Sequence, residues 1–494
     1  MNVLFVTLDQ FRGDSYGAAG HPLVQTPTLD RIAREGVRLA RHYSQSAPCA
    51  PGRAALYTGT YQMNNRVVTN GTPLPTGFDN IALVARRAGF NPTLFGYTDQ
   101  GIDPSEADGY DDPRLDYYDG ILPGFSVGLY LPLSQAGWVQ YLRAKGFDVA
   151  PGWVPLLWDE PKRPAEDSLS GFLTNRFVQW LEQQDGGWFA HLSYLRPHPP
   201  YAAAGEYSKM YDLADVDLPI TPVEAHLRHA VHEYSLGVRG RAAPLEEEKL
   251  RYLRAQYYGM ITETDFQLGR VVEAIEERGE WRDTLVVITS DHGDQLGDHG
   301  LIQKLGFFPE SYHVLGLWRD PRTDLVGRTV TAFSENVDLL PTLCEALSVD
   351  QPAQCDGRSL QALMKGEQGS WRSSAHYEWD YRKDWIKQRG ASWTKDQRLS
   401  NQNLCVSVSD DVGYVQFGDG SFRCFDLTVD PTWRTECVDS DRILTAAQEQ
   451  LVWRQEHLRR ELTDMRLGPD RSGRWPEGFA RESLGQDLSP AAIP

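Results

Sequence analysis

Short apolar runs alternate with amphipathic helical segments along the first half of the chain, and this alternation is the strongest constraint on its fold. Residues 2–8 and 285–289 form the two clearest apolar runs of strand length. Residues 28–35 have the pattern of a helix that stops at Gly36, and apolar residues three and four positions apart over 246–278 predict a long helix. Such an alternation predicts an α/β fold in which helices cover both faces of a large, mostly parallel central sheet.

Acidic clusters follow both of these predicted strands directly. Residues 2–8 run into Asp9 and Gln10, and residues 285–289 run into Ser290-Asp291-His292-Gly293-Asp294. Ligands of open α/β sheets bind beyond the carboxyl ends of the strands, so we expect a site at this edge. A single Asp at a strand end often only caps the following turn, and the clusters by themselves leave that structural role open.

Residues 101–166 interrupt the alternation. They are rich in Gly, Pro, Asp, Tyr and Trp, which predicts a loop-rich insertion rather than regular elements. A loop of this length is usually functional, so we expect it to shape access to the site. Its aromatic residues could line a ligand pocket or simply pack beneath the loop.

The pattern changes again after about residue 370. Residues 412–417 and 421–425 are short strand candidates, and 445–466 is a helix candidate. We therefore predict an α/β domain over 1–370 and a smaller C-terminal α+β subdomain over 371–494, with a short antiparallel sheet. Its Pro-, Gly- and Ser-rich tail could reach a partner subunit, which would make the protein a homo-oligomer.

The charge of the chain argues against two classes of partner. Lys and Arg number 49 against 68 Asp and Glu, and the net charge is −19. A chain this acidic is not expected to bind nucleic acid or to dock on an anionic membrane surface. A small anionic substrate is still possible, because the local charge of a site can be positive on an acidic protein.

Three features predict a cytoplasmic protein. Residues 1–9 lack the basic segment and cleavage site of a signal peptide and have the pattern of a strand. No apolar run approaches the length of a membrane span. The six cysteines include no CxxC pair, which favours free thiols over a disulfide framework or a zinc ribbon.

The segment Cys49-Ala50-Pro51-Gly52-Arg53 combines a nucleophile with a predicted helix start. Proline suits the first turn of a helix, which places Cys49 near the helix N-terminus. That position stabilises an anion and lowers the pKa of a thiol. Arg53 lies one turn further on, where it could hold a negative group. The alternative is a buried structural cysteine that precedes a helix.

The same segment carries a family resemblance. The pentapeptide C-x-P-x-R, followed by Leu-x-Thr-Gly at residues 56–59, resembles the signature of the sulfatases. In that family the cysteine is oxidised to formylglycine, whose hydrate attacks sulfur or phosphorus. The resemblance implies formylglycine at Cys49, a formylglycine-generating enzyme as a partner during maturation, and an alkaline phosphatase-like fold. Gly52 stands where most members have Ser.

The two acidic clusters resemble the metal-binding stretches of the same family. The resemblance implies one divalent ion, and its ligands would be Asp9, Gln10, Asp291, His292 and the residue at position 49. His292 stands where many sulfatases have Asn, so one ligand is an imidazole nitrogen. Calcium takes oxygen ligands almost exclusively, whereas manganese accepts imidazole as well. We therefore predict manganese, with calcium as the alternative.

Three further stretches resemble the branch of phosphonate monoester hydrolases and related arylsulfatases. These are residues 69–74, 96–99 and 196–201. The residues that this resemblance places around the substrate are Arg53, Asn70, Tyr97, His198 and Lys304. Asp99 occupies a position where the phosphonate hydrolases tend to have Thr.

The resemblance implies a metal-dependent hydrolase of small anionic esters. We expect cleavage of sulfate monoesters, with promiscuous activity on phosphonate monoesters and phosphodiesters. His198 is the first candidate for the general acid, and Lys304 is the second. The alternatives are a phosphonate monoester hydrolase or phosphodiesterase as the main activity and, more remotely, a catalytically dead relative that binds anions. Cys49 argues against a two-metal phosphatase of the wider superfamily, since those enzymes carry Ser or Thr at this position.

Overall fold

A computed structural model of the chain contains two β-sheets with helices around them. The residues that it describes are 1–109, 111–116, 119–149, 152–367, 369–382 and 401–459. The end of the helix predicted at 445–466 and the tail after Gly468 lie outside these residues.

The large sheet has eight strands in the order β4-β3-β5-β1-β6-β7-β2-β8. Their bounds are β1 Asn2–Leu8, β2 Val37–Tyr43, β3 Pro92–Gly96, β4 Ser126–Tyr130, β5 Phe189–Tyr194, β6 Thr284–Thr289, β7 Gly316–Arg319 and β8 Arg328–Glu335. Every neighbouring pair is parallel except the two pairs that β7 forms with β6 and β2. The predicted mostly parallel sheet is therefore confirmed.

Helices cover both faces of this sheet. Their bounds are α1 Pro27–Glu35, α2 Cys49–Thr58, α3 Gln62–Asn65, α4 Ile81–Arg87, α5 Ala136–Ala144, α6 Trp153–Trp158, α7 Leu169–Leu181, α8 Ala230–Leu236, α9 Glu247–Glu277, α10 Leu339–Leu347, α11 Gln361–Lys365 and α12 Ser440–His457. Alternate side chains of a strand face opposite ways. Leu4, Val6 and Leu8 accordingly pack with α7 and α9, whereas Val3 and Phe5 pack with α2, α4 and α10. Within the described residues, no helix is both long and apolar enough to cross a membrane.

The strands and helices predicted outside 101–166 lie within a few residues of the observed ones, but that insertion needs a correction. It contains β4 and the two helices α5 and α6 as well as loops. Among the described strands, β4 lies at the edge of the large sheet and pairs with β3 alone. Because an edge strand is half exposed, its sequence lacks the continuous apolar run that identifies a buried parallel strand.

The small sheet is antiparallel, in the order β12-β11-β10-β9, and confirms the strands predicted near the C-terminus. Its strands are β9 Ala375–Asp380, β10 Asn403–Val408, β11 Val412–Phe417 and β12 Phe422–Asp426. It contacts the large domain beside α2. Glu378 of β9 bridges to Ser46, just before α2, and its Oε2 accepts a hydrogen bond from the Met63 amide at 2.9 Å. The small sheet thus supports the loop that carries the start of α2.

Candidate active site and metal centre

The carboxyl ends of β1 and β6 and the N-terminus of α2 meet at one point. The two strands are adjacent and parallel, so Asp9 and Asp291, which follow them, lie side by side. Cys49 is the first residue of α2. One ligand atom from each of four buried residues lies within 4.8 Å of the others, and these residues are Asp9, Cys49, Asp291 and His292. The structure thus brings the two sequence-distant clusters and the nucleophile together.

The Cys49 sulfur lies among charged and polar groups. Its Sγ is 2.9 Å from Lys304 Nζ, 3.3 Å from His292 Nε2 and 3.9 Å from Asp9 Oδ1. Burial, and then Asp9, raise the pKa of the Cys49 thiol well above its usual range, although Lys304 opposes the shift. The expectation that the helix N-terminus lowers this pKa is therefore wrong. Desolvation and neighbouring carboxylates outweigh the helix dipole at a fully enclosed position.

The orientation of the His292 ring suits metal binding. Nδ1 lies 3.0 Å from the Gly293 carbonyl oxygen, and because a carbonyl can only accept, Nδ1 carries the proton. Nε2 then carries a lone pair, and it lies 3.9 Å from Asp9 Oδ1 and 3.7 Å from Asp291 Oδ2. A backbone acceptor that fixes the tautomer in this way is a regular feature of metal-binding histidines.

Gln10 presents an unused oxygen beside the same cluster. Its Nε2 donates to Asp294 Oδ2 at 2.6 Å, which fixes the orientation of the amide. Its Oε1 is buried and has no hydrogen-bond partner within the described residues. A buried carbonyl oxygen without a donor is costly unless a cation or water satisfies it. Gln10 therefore fits the oxygen ligand that the sequence predicted.

The two carboxylates of the centre lack sufficient positive charge from the protein. Burial and the neighbouring Asp9 raise the pKa of Asp291 to about 7. Burial would also raise the pKa of Asp9, but nearby cationic groups, including Lys304 and Arg53, hold it below its usual range. Asp9 is thus kept ionised, and its negative charge favours the protonated form of Asp291. A divalent cation would remove this conflict, and the donor set fits one.

Arg53 lies behind the carboxylates and does not line the cleft. Its Nη2 is 3.1 Å from Asp9 Oδ2, its Nε is 3.1 Å from Asp291 Oδ2, and its Nη1 donates to Ser193 Oγ at 2.8 Å. The side chain is fully buried. Sequence spacing sets the helical turn of Arg53 but not these partners, and its contact with substrate stays a prediction. Arg53 is a positioning residue that orients the two carboxylates.

The cleft above Cys49 has a cavity volume of about 70 Å³. Four residues predicted from the sequence line it, and these are Asn70, Tyr97, His198 and Lys304. One wall comes from residues 101–166, as expected for an insertion that shapes access.

Asn70 and Tyr97 are tied to the reacting centre. Asn70 Oδ1 accepts a hydrogen bond from the Ala50 amide in the first turn of α2, at 3.0 Å. The Tyr97 hydroxyl donates to Asp9 Oδ2 at 2.6 Å, and its ring lies 4.3 Å from the Arg53 guanidinium carbon. Both side chains therefore hold the geometry of the centre as well as lining the cleft.

Lys304 and His198 form a hydrogen-bonded pair at the mouth of the centre. His198 Nδ1 donates to the Pro199 carbonyl at 2.5 Å, so in the neutral ring Nε2 accepts from Lys304 Nζ at 2.9 Å. Burial, and then Lys304, lower the pKa of His198 to about 3. Burial disfavours the charged amine, but Cys49 and Asp9 raise the pKa of Lys304 above its usual value. In this arrangement Lys304 carries the proton of the pair, and His198 Nε2 accepts it in a hydrogen bond.

Two residues near the centre, Asp294 and Trp153, were not identified individually from the sequence. Asp294 accepts from Gln10 and from the Tyr201 hydroxyl at 2.9 Å, and so it holds a predicted metal ligand in place. Trp153 lines the cleft and its ring lies 6.5 Å from that of His198. Asp294 belonged to a cluster noted in the sequence, whereas nothing in the pattern around Trp153 distinguishes it from core aromatics.

Gly52 allows α2 to pack against the strand end that carries Asp291. A Cβ at this position would lie 2.4 Å from the Asp291 carbonyl oxygen and 2.9 Å from that of Ser46. We expect Gly52→Ala to lower the free energy of unfolding by about 1–3 kcal/mol and to reduce turnover, because backbone has to move. Gly137→Ala in α5 is the control, since its Cβ would have no neighbour closer than 3.8 Å. Denaturant unfolding compares the two, and equal stability of Gly52→Ala and the parent would contradict this interpretation.

Comparison with known proteins places this site in context. A family model described as Sulfatase matches residues 1–349. The multifunctional alkaline phosphatase superfamily protein PehA of Trinickia caryophylli is 36% identical over 506 aligned residues, which cover 95% of this chain and 98% of that protein. An arylsulfatase of Clostridium perfringens is 24% identical, with 98% of each chain covered.

Solved structures agree with these relatives. The phosphonate monoester hydrolase of Agrobacterium radiobacter is 36% identical with a TM-score of 0.80, over 93% of this chain and 96% of that one. The phosphonate monoester hydrolase of Silicibacter pomeroyi is 32% identical with a TM-score of 0.82, over 92% and 95% of the two chains. The large mixed sheet and the small antiparallel sheet are therefore those of an alkaline phosphatase-like fold.

Proposed function

Because this chain belongs to the sulfatase family, we propose that it hydrolyses small monoanionic esters, of sulfate and of phosphonate, at the site around Cys49. One observation carries the proposal. Cys49 heads a C-x-P-x-R segment and opens into the cleft, with two carboxylates and an imidazole within 4.8 Å of one another and of its sulfur. A nucleophile beside a metal-type donor set divides the hydrolysis of an unreactive ester into two easier steps.

The C-x-P-x-R segment supports conversion of Cys49 to formylglycine, and the raised pKa of its thiol would leave the unmodified side chain neutral. A neutral thiol is a poor nucleophile, because the thiolate is the reactive form. The hydrate of formylglycine would supply a hydroxyl nucleophile at the same position. We therefore also propose that a formylglycine-generating enzyme acts on this chain during maturation.

The proposed metal site consists of Asp9, Gln10, Asp291, His292 and the side chain at position 49. A divalent ion there would neutralise negative charge that builds on the ester oxygens and favour the ionised nucleophile. Arg53 holds both carboxylates in the orientation that this requires. The imidazole in the set favours manganese over calcium.

Lys304 and His198 act on the leaving group in this proposal. The Lys304 ammonium lies between Cys49 and His198, where it can bind an anionic ester oxygen and donate a proton to the departing alcohol. His198 orients the Lys304 ammonium, because its Nε2 accepts a hydrogen bond from Lys304 Nζ.

Replacing Lys304 is expected to affect poor leaving groups most. Lys304→Met should lower kcat on phenyl esters by about 10²–10³-fold and on 4-nitrophenyl esters much less, because a good leaving group needs little protonation. His198→Gln should lower kcat less, with the same dependence on the leaving group. Steady-state kinetics with esters of a series of substituted phenols measures how the loss in kcat depends on the leaving group. An equal loss on every leaving group would assign Lys304 to binding instead.

A phosphonate monoester hydrolase or phosphodiesterase is the second candidate for the main activity. It is favoured by the two phosphonate monoester hydrolase structures at 36% and 32% identity, against 24% for the arylsulfatase. Both candidates need the same site, because sulfate monoesters, phosphonate monoesters and phosphodiesters all carry a single negative charge.

One experiment tests the function and separates the candidates. 4-Nitrophenol is presented as its sulfate, its phenylphosphonate, a phosphodiester and its phosphate monoester, so that the leaving group is constant. We expect turnover of the sulfate and the phosphonate, and the ratio of their kcat/KM values identifies the main activity. Turnover of the phosphate monoester alone would point to a phosphatase. No turnover of any ester would point to an anion-binding relative.

A further inference from the structure

Asp99 is a buried carboxylate in the cleft wall that the proposed reaction does not use. It is 5% exposed, and no hydrogen-bond donor reaches it among the described residues. The guanidinium of Arg53 is 3.8 Å away, but it already binds Asp9 and Asp291 at 3.1 Å. Burial raises the pKa of Asp99 to about 7, against the opposing effect of Arg53. Among the described residues, the ion-pair partner of an ionised Asp99 would therefore be the Arg53 guanidinium, which it shares with two other carboxylates.

Two further acceptors line the cleft with Asp99. Asp119 is 3% exposed, and its Oδ2 accepts one hydrogen bond, from the Leu133 amide at 2.6 Å. Gln135 is 2% exposed, and its Oε1 has no hydrogen-bond partner in the part of the chain that the structure describes. Gln135 is also held at a φ of 50°, an unfavourable backbone conformation of the kind that persists at ligand sites. Buried acceptors without donors are costly unless a ligand supplies the donors.

An indole lies in this wall as well, and it indicates which part of a substrate would lie there. Trp153 lines the same cleft, and its ring centroid lies 6.5 Å from that of His198. His198 in turn contacts Lys304, the proposed proton donor to the leaving group. Trp153 is therefore on the side of the departing alcohol, and Asp99, Asp119 and Gln135 line the same cleft.

We propose that the acceptor wall, formed by Asp99, Asp119, Gln135 and Trp153, is a subsite for a positively charged leaving group. The substrate class would be esters whose alcohol or phenol carries an ammonium group. Carboxylates beside an anionic ester repel it. A substrate that also carries an ammonium group at its far end would instead be attracted to these carboxylates through that group. An indole face adds a favourable interaction with an ammonium group. This inference rests on the proposed function and narrows its substrate.

The test compares leaving groups that differ in charge but little in size. Esters of 4-(2-aminoethyl)phenol, 4-propylphenol and 3-(4-hydroxyphenyl)propionate are made with the acid group that the enzyme hydrolyses faster. We expect kcat/KM for the ammonium ester to exceed that of the neutral ester by about tenfold or more, and the carboxylate ester to be the poorest. Equal or better turnover of the neutral or carboxylate ester would overturn the inference and leave the proposed function intact.

Variants then assign the preference to the wall. In Asp99→Asn, the ratio of kcat/KM for the ammonium ester to that for the neutral ester should fall towards one. Asp119→Asn gives an independent measure of the same ratio if the first variant does not fold. Asp350→Asn, an exposed acid far along the chain, controls for the loss of one negative charge and should keep the parent ratio. An unchanged ratio in both wall variants would overturn the assignment. Failure of the parent enzyme on all three esters and on the 4-nitrophenyl series would instead reject the proposed function.

Discussion

Cys49→Ala is expected to reduce turnover of sulfate and phosphonate esters by on the order of 10⁴-fold or more. The reason is that no other nucleophilic side chain with a suitable position lines the described part of the cleft, so covalent catalysis has no substitute. Cys344→Ala is the matched control, because that cysteine is also buried and reduced but lies in α10. Kinetics on both variants, with circular dichroism to check folding, measures the effect.

The chemical state of position 49 is tested on the same preparations. Mass spectrometry of the peptide that contains residue 49 should show formylglycine in active enzyme, in a fraction that rises with specific activity. Active protein that carries only unmodified cysteine would contradict the proposal. Retention of most activity in Cys49→Ala would remove the nucleophile from this position altogether.

Removal of the divalent ion is the second large expected effect. We expect chelation to abolish turnover and manganese to restore it better than calcium, because His292 offers an imidazole nitrogen towards Asp9 and Asp291. Elemental analysis of protein purified without added metal should find one ion per chain. If calcium alone restores activity, His292 is not a ligand. Loss of the metal in His292→Ala, measured without any substrate, gives a readout independent of catalysis.

The pH dependence of metal binding follows from the centre itself. Burial raises the pKa of Asp291 from 3.8 to about 7, so the folded, metal-free protein keeps this proton where the unfolded chain has lost it. The stabilisation from this group is present below about pH 4 and is lost as the pH rises through about 7. A metal competes with the same proton. The gain in Tm on adding manganese should therefore increase between about pH 5.5 and pH 8, and a gain that is independent of pH would contradict this linkage.

Much of the architecture could be predicted because it depends on local patterns. The apolar runs at 2–8 and 285–289 became the adjacent parallel strands β1 and β6. Parallel strands place their following residues at one edge, which is why Asp9 and Asp291 could be expected together. The edge strand β4 was not predicted, since its half-exposed residues carry no buried-strand pattern.

The sequence by itself determined the mostly parallel sheet, and it identified Cys49 and the acidic and histidine residues that cluster with it. Only the tertiary structure decided which way each side chain faces. Arg53 turned out to lie behind the carboxylates, while Asp99 and Trp153 line the cleft. Spacing along a chain sets which residues share a helical turn or a strand end. Burial, hydrogen-bond partners and the direction of a side chain depend instead on elements that are distant in sequence, and these govern the charge and proton of each group.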